Sequence, residues 1–156
     1  MRAIVQCLGA LWRGRNARRG VAAIEFAMLA PLLVIMAVAL TDYGLGVYYK
    51  MEVQNAAQAG VQYAVLHGFN ATNISTAVTS ASTLTGISAN PAPAQSCGCA
   101  SGTTISSASC GSTCPSGLLA GGYVTVSAQA TYSTILPYPG LDQSFTFTSQ
   151  ALVRVN

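Results

Sequence analysis

The sequence predicts an α+β protein in which a long N-terminal helix precedes a small antiparallel β-domain with a disulfide-bonded loop. Three observations support this fold class: an apolar segment behind a cluster of arginines, a helical repeat that continues beyond it, and strand-like alternation near the C-terminus. The 156-residue chain is 51% hydrophobic and only 7% charged, which is too apolar for an ordinary cytosolic enzyme. We therefore expect a membrane-attached protein.

The positive charge is confined to one end of the chain. Five of the seven Lys and Arg residues lie within the first nineteen positions, and after Glu52 the only charged residues are Asp142 and Arg154. A nucleic-acid-binding surface needs basic residues spread over a folded domain. The charge distribution therefore argues against a nucleic-acid partner.

Residues 21–42 are predicted to form one transmembrane helix. Val21 to Leu40 contains a single charge, Glu25, and a helix of that length covers about 30 Å, the thickness of the hydrocarbon core of a bilayer. The preceding arginines place the N-terminus in the cytoplasm under the positive-inside rule. The segment therefore predicts contact with membrane lipid, a single-pass topology and export of everything after Asp42.

A cleaved secretory signal peptide is the alternative interpretation of this N-terminus. Basic residues followed by an apolar run are its first two parts, but the third part, a cleavage site, is poor. A cut after Ala30 places Pro31 directly behind it, and a cut after Ala39 discards the entire apolar run.

Residues 43–68 are predicted to continue the same helix on the exported side. In "LGVYYKMEVQNAAQAGVQYAVL" apolar and small residues recur with a period of 3.6 residues. This small-residue face packs either on the protein's own sheet or on a neighbouring helix. His67 followed by Gly68 predicts the end of the helix, because a cation and a left-handed residue suit a helix C-terminus.

Residues 69–156 form the predicted exported loop and β-domain. The Ser, Thr, Ala and Gly content of residues 71–122 predicts little regular structure there. The segments "YVTVSAQATYS" and "SFTFTSQALVRV" alternate as two antiparallel strands, joined by a loop longer than a tight hairpin turn. The exported half of the helix is expected to cover the apolar face of these strands.

Four cysteines, Cys97, Cys99, Cys110 and Cys114, lie on the exported side, and the fifth, Cys7, lies near the N-terminus. Disulfides persist in exported domains, and a small polar domain needs such crosslinks. A four-cysteine zinc site is the rival interpretation, although the C-x-C spacing is tighter than the usual knuckle. We predict two disulfides and no metal; four cysteines allow three pairings, and the sequence does not choose among them.

The sequence contains no recognisable catalytic arrangement. The exported part offers Glu52, His67, Asp142 and Arg154, which are too few and too far apart for a carboxylate pair, a triad or a metal site. The glycines at 121 and 122 precede a strand, which excludes a phosphate-binding loop. We therefore predict a protein that is not an enzyme and needs no cofactor.

The segment "RRGVAAIEFAMLAPLLVIMAVALTDYG" closely resembles the N-terminal region of TadE-like proteins, the minor pseudopilins of the bacterial tight-adherence (Flp pilus) secretion apparatus. Members of that family share a pilin-like layout and are cut by a prepilin peptidase after a glycine. The resemblance implies a leader of residues 1–20, cleavage between Gly20 and Val21, and an assembly motif of Glu25 and Phe26 at positions five and six of the mature chain. The related TadF and TadG kinds share this N-terminal pattern.

The resemblance also extends to "NAAQAGVQYAV", to the "CGC" loop and to the closing "SQALVRV". It implies a non-enzymatic component of pilus assembly in the bacterial inner membrane, with the prepilin peptidase, other pseudopilins and the Flp pilin as partners. The alternative function is an uncleaved, single-pass membrane anchor that carries an exported binding or adhesin-like domain.

Glu25 has a physical role under this interpretation. Cleavage after Gly20 creates an α-amino group four residues before the carboxylate, on the first helical turn, where the helix dipole favours an anion. The carboxylate can then pair with that amine or with the amine of a neighbouring chain. The simpler interpretation is a charge tolerated at the start of a helix.

Overall fold

The computed structural model describes residues 2–137, 140 and 142–155, and for residues 2–19 it gives the helical backbone alone. Its elements are helices α1 (Arg2–His67) and α2 (Ala71–Ser80) and strands β1 (Ala94–Ser101), β2 (Thr104–Ser107), β3 (Gly121–Ser133) and β4 (Ser144–Val155). The predicted α+β class, with a long N-terminal helix before a small antiparallel sheet and two disulfides, is confirmed. The chain divides into two compact units, residues 1–43 and residues 44–156.

The part of α1 in the first unit exposes its large apolar side chains. Leu32, Leu33 and Ile35 are each more than half exposed, and the most apolar 18-residue window of the helix has a mean hydropathy of 2.4 with no buried side chain. The helix continues through Pro31. Among the described residues this is the one helix long and apolar enough to cross a membrane, and it fits a single-pass anchor. The side chains of the predicted leader before Gly20, including Cys7, lie outside the described residues.

The second unit contains an antiparallel sheet with strand order β2-β1-β3-β4. Strands β3 and β4 pair without interruption from Gly122↔Val155 to Ser133↔Ser144. These two strands and the long loop between them, residues 134–143, agree with the sequence prediction. Within that loop, residues 138, 139 and 141 lie outside the described residues.

The part of α1 in the second unit packs on this sheet through its small residues, as the first of the two sequence-based alternatives predicts. The buried residues of the helix are interleaved with exposed polar ones, and Val53, Ala56, Ala57 and Ala64 are 0 to 1% exposed. A Cβ atom at Gly60 would lie 2.7 Å from both Val126 Cγ1 and Val78 Cγ2. Glycine at this position therefore allows the helix backbone to approach the sheet.

The facing residues of β3 complete the core, as their alternation predicts. The predicted inward positions are 0 to 7% exposed, and they are Val124, Val126, Ala128, Ala130 and Tyr132. The core is formed mainly by β-branched and small side chains, which suit the close contact between a helix and a pleated surface.

The prediction of little regular structure in residues 71–122 is wrong. Helix α2 and strands β1 and β2 lie within this range. In α2, Ile74 and Val78 are one turn apart and both 0% exposed, so one apolar face packs on the core despite the Ser and Thr around it. Strand β1 contains small residues of low strand propensity and forms because it pairs with β3 on one side and β2 on the other.

The connection between α1 and α2 is well defined. Gly68 has φ +78° and donates its N–H to the carbonyl of Ala64 at 3.0 Å, so the helix ends as the His67-Gly68 pair predicts. Asn70 then caps α2, because its Oδ1 accepts the backbone N–H of Asn73 at 3.1 Å. After this cap, α2 packs its Ile74 and Val78 on the core formed by α1 and β3.

Candidate processing and assembly site

Gly20, Val21, Glu25 and Phe26 all lie on the exposed part of α1 that contains the candidate membrane span. A Cβ atom at Gly20 would meet no atom within 4 Å, so the position is sterically open. Val21 is 57% exposed, Phe26 is 67% exposed, and Glu25 is exposed as well. Both motif side chains therefore lie at the helix surface, and the position of Gly20 is not covered by another element.

The spacing of Val21 and Glu25 places them on the same face of the helix. Residues four apart are successive neighbours along one side, with Cβ atoms about 5 to 6 Å apart. A carboxylate at Glu25 can therefore reach a positive group at the level of Val21 without leaving its helical position. In the chain described, the backbone of α1 runs through both residues without a break.

The four cysteines of the second unit form two disulfides. Cys97 pairs with Cys110 across a Cα–Cα distance of 5.1 Å, and Cys99 pairs with Cys114 across 5.6 Å. The disulfide prediction is therefore confirmed and the zinc alternative is wrong. The sequence left three pairings open, and the structure has Cys97 with Cys110 and Cys99 with Cys114. Both bonds connect β1 to the segment between β2 and β3.

These disulfides stabilise a compact turn. The backbone N–H of Cys114 donates to the carbonyl of Leu118 at 2.7 Å, and the N–H of Gly117 donates to the carbonyl of Cys114 at 2.8 Å. Cys99 and Cys114 are 7% and 6% exposed, so this bond is buried beneath the turn. Cys110 is exposed, so the other bond lies nearer the surface.

Two of the four polar residues that sequence reasoning considered for catalysis, Glu52 and His67, have contacts within the second unit. Glu52 accepts a hydrogen bond from Ser82 Oγ at 2.6 Å, and that hydroxyl oxygen also accepts the backbone N–H of Leu84 at 3.1 Å. The ring of His67 stacks on Tyr63 with a centroid distance of 4.3 Å. Among the described residues, no group of three or more His, Cys, Asp or Glu side chains is placed to hold a metal ion.

A shallow pocket lies between α1 and α2 and is lined by Tyr63, Asn73, Thr76, Ala77 and Ser80. The hydroxyls of Thr76 and Ser80 donate to the carbonyls of Thr72 and Ala77. These two donors are therefore already engaged within α2, which reduces what the pocket offers to a polar ligand.

Sequence reasoning missed three positions with clear structural roles: Gly60, Asn70 and Ser82. Asn70 had a local signal, because an asparagine before the Ile74 and Val78 pair is a typical helix cap. Gly60 and Ser82 had no local signal, since their partners lie far away in the sequence.

Residues 20–62 match the profile of a family described as TadE-like protein. The matched segment begins at Gly20 and includes Glu25, Phe26 and most of the second half of α1, whereas the cysteine loop and the closing strand lie outside it. No curated protein and no solved structure matches the chain.

Proposed function

We propose that this chain, which matches the TadE-like family over residues 20–62, is a non-enzymatic minor pseudopilin of the Tad (Flp pilus) apparatus. One observation carries the proposal: the matched segment begins at Gly20 and places an exposed carboxylate, Glu25, on an otherwise apolar and exposed helix. An ionisable residue within a membrane span is a functional candidate by default.

The proposed chain spans the bacterial inner membrane once. Residues 21–42 form the span, the arginine-rich N-terminus lies in the cytoplasm, and residues 43–156 are exported. The charge asymmetry of the sequence supports this orientation, since no Lys or Arg occurs between the span and Lys50. Two disulfides in the second unit agree with an exported, oxidising location.

In the proposed maturation, a prepilin peptidase removes residues 1–20. Gly20 is exposed and an added Cβ would meet no atom within 4 Å, so no other element covers the position. Val21 then provides a new α-amino group on the same helical face as Glu25. This leaves a cation and an anion near the cytoplasmic edge of the membrane.

Glu25 is proposed to act during assembly, by pairing with the amine of Val21 in its own chain or in an adjacent pseudopilin or Flp pilin. A charge near the membrane edge costs less than the roughly 2.5 to 3.5 kcal/mol of the bilayer centre, and an opposite partner offsets much of that cost. Exposed apolar side chains around Glu25 provide the surface on which another membrane helix can pack.

The test is the N-terminal sequence and intact mass of the membrane-extracted protein. We expect a chain that begins at Val21 and has lost Cys7 with the leader. In a Gly20→Leu variant the chain should keep Met1, because the proposed peptidase cuts after a glycine. A Gly44→Ala control should be processed normally. An added Cβ meets no atom within 4 Å at either position, so the two variants differ in the cleavage site and not in steric strain.

Two outcomes would contradict the proposal. A native chain that still begins at Met1 would favour the uncleaved membrane anchor with an adhesin-like domain. A chain that begins near Pro31 or Leu40 would favour a secretory signal peptide.

A further inference from the structure

We propose that this chain reaches its native disulfide pairing through thiol–disulfide isomerisation, and that Cys110 is the residue that an exported isomerase attacks. The partner is a thiol catalyst of disulfide exchange. Of the proposed function it rests on one part, the export of residues 43–156. The cysteines concerned all belong to the second unit, and they are Cys97, Cys99, Cys110 and Cys114.

The first observation is the order of the pairing along the chain. Cys97 pairs with Cys110, and Cys99 pairs with Cys114. The first of the four cysteines is therefore bonded to the third, and the second is bonded to the fourth. The two closed loops overlap, and neither native bond joins cysteines that are neighbours in the order of the sequence.

The entropy of loop closure favours a different pairing. Cys110 and Cys114 are four residues apart in the sequence, whereas the native bonds span 13 and 15 residues. Because the entropic cost of closure grows with the logarithm of loop length, the short loop should close on the order of six times as often in an unfolded chain. That bond leaves Cys97 and Cys99 to pair with each other. An oxidant that acts on the unfolded chain therefore produces mainly mispaired protein.

The backbone provides little guidance to these cysteines before the bonds form. Residues 108–120, which the structure describes throughout and which contain Cys110 and Cys114, belong to no helix or strand. Strand β1, which contains Cys97 and Cys99, consists mainly of small residues of low strand propensity. A backbone hydrogen bond from the N–H of Ala108 to the carbonyl of Cys97, at 3.0 Å, connects only the start of the segment to β1. We therefore expect oxidation to precede the correct placement of the four cysteines.

The burial of the two native bonds indicates where a catalyst can act. Cys99 and Cys114 are 7% and 6% exposed. Cys110 is exposed and Cys97 is half-buried. Thiolate attack requires access to the sulfur that is attacked. Of these four cysteines, Cys110 is therefore the one that can hold a mixed disulfide with a protein catalyst while the buried bond is already in place.

The exchange balances without a further oxidant. The catalyst thiolate attacks Sγ of Cys110 in the mispaired bond, which forms a mixed disulfide and releases the Cys114 thiolate. That thiolate attacks Sγ of Cys99 in the Cys97–Cys99 bond, which forms the buried native bond and releases the Cys97 thiolate. Cys97 then attacks Sγ of Cys110, which forms the second native bond and returns the catalyst thiolate. The chain begins and ends with two disulfides, so no electron is gained or lost.

The experiment compares two strains of a bacterial host, one with and one without its exported disulfide isomerase. The full-length chain carries Cys7→Ala, so that only the cysteines of the second unit can pair. Free thiols of the membrane-extracted protein are alkylated, and the unreduced, unfolded chain is cut with thermolysin, which cleaves before Ile105. The fragments on the two sides of this cut stay linked in the native pairing and separate when neighbouring cysteines have paired. Fragmentation of the linked peptides in the mass spectrometer then distinguishes Cys97 from Cys99.

Without the isomerase we expect the natively paired fraction to fall at least about threefold, because the shorter loop then keeps its statistical advantage. The control is the double variant Cys97→Ala, Cys110→Ala. Its bond between Cys99 and Cys114 should form equally in both strains, since two cysteines allow one pairing. Equal native pairing of the four-cysteine chain in the two strains would overturn the inference. So would loss of the bond in the double variant, because the defect would then not be one of pairing.

A trapping experiment identifies the sulfur that is attacked. Both strains are replaced by one that expresses an isomerase whose second active-site cysteine is alanine, so that mixed disulfides with it persist. In a Cys97→Ala chain the last step of the exchange lacks its thiol, and the complex should accumulate on Cys110. In a matched Cys99→Ala chain, Cys97 still resolves the complex, and we expect severalfold less of it. Equal amounts in both variants, or a complex on Cys114, would overturn the assignment of Cys110.

Failure of this inference and failure of the proposed function are distinguishable. The N-terminal sequence tests cleavage at Gly20 and does not depend on how the cysteines pair. Four free thiols in the host that has the isomerase would contradict export, and would overturn the inference with it. Native pairing that is independent of the isomerase would overturn the inference alone.

Discussion

The two halves of α1 form one continuous helix but differ in how far their apolar side chains are buried. Before Gly44 the large apolar residues are exposed, with Leu33 at 55% and Met36 at 54%; after it the buried residues are small, with Ala56 and Ala57 at 0%. The first half needs an apolar environment from outside the chain, and the second half has the sheet of its own unit. Large apolar side chains suit fluid lipid, whereas close contact with a sheet requires small ones.

The largest expected effect is the loss of surface pili when the charge of Glu25, in the first half of α1, is removed. Glu25→Ala should reach the membrane at the native level, because removing a charge from a span favours insertion, but surface pili should be lost. The reason is that the α-amino group of Val21 would lose its partner in a partly desolvated position. Membrane fractionation and pilus counts in cells that express the variant in place of the native chain provide the measurement.

Glu25→Gln separates charge from size. It preserves the side-chain length and removes the anion, so it should behave like Glu25→Ala. The processed fraction is measured in both variants, so that an effect of the glutamate on leader removal is distinguished from an effect on assembly. Normal piliation with normally processed protein would mean that Glu25 is only a charge tolerated at a helix start.

Removing the disulfides should lower the stability of the second unit, residues 44–156, and leave residues 1–43 unaffected. Replacing both Cys99 and Cys114 by Ala opens a crosslink between residues 15 apart, which corresponds to about 3 kcal/mol of unfolding free energy. The matched pair Cys97→Ala and Cys110→Ala, 13 residues apart, should cost somewhat less, because Cys110 is exposed. Thermal melts in detergent, followed by near-ultraviolet circular dichroism, measure the difference.

The oxidation state is checked directly on the native protein. Mass spectrometry of alkylated, unreduced chain should find no free thiol at Cys97, Cys99, Cys110 or Cys114. Four reactive thiols with stoichiometric zinc would reverse the assignment.

Gly60→Ala tests the close contact of the packed half. The new Cβ would lie 2.7 Å from Val126 Cγ1 and Val78 Cγ2, so the core must shift at a cost of about 1 to 3 kcal/mol. Gly44→Ala is the control, since its Cβ meets nothing within 4 Å and alanine favours a helix by about 0.5 to 1 kcal/mol. Equal stabilities of the two variants would show that the contact tolerates a methyl group.

The smallest expected effect is at the cap of α2. Asn70→Ala removes the acceptor for the backbone N–H of Asn73 and should lower the unfolding free energy by about 1 kcal/mol. Asn73→Ala retains the backbone donor and serves as the control. A loss of similar size in both variants would argue against the cap, and the same melts distinguish the two results.

The sequence alone was enough to predict the elements whose signal is local. The apolar run from Val21, the 3.6-residue repeat that ends at His67 and the alternation from Val124 to Tyr132 each reflect one segment and its surroundings. The family resemblance is likewise confirmed over residues 20–62, where the motif is contiguous. The cleavage site and the role of Glu25 remain predictions, because they concern partners outside the chain.

Only the tertiary structure decided the middle of the chain. The small residues of β1 have no strong preference for a strand, and β1 forms because β3 supplies hydrogen-bond partners on one side and β2 on the other. The disulfide pairing depends on which cysteines this arrangement brings within 5.1 and 5.6 Å between Cα atoms. Gly60 likewise acquires its role only when Val78 and Val126 meet it. Contacts between residues distant in sequence leave no periodic trace, so their energies appear only when the chain is folded.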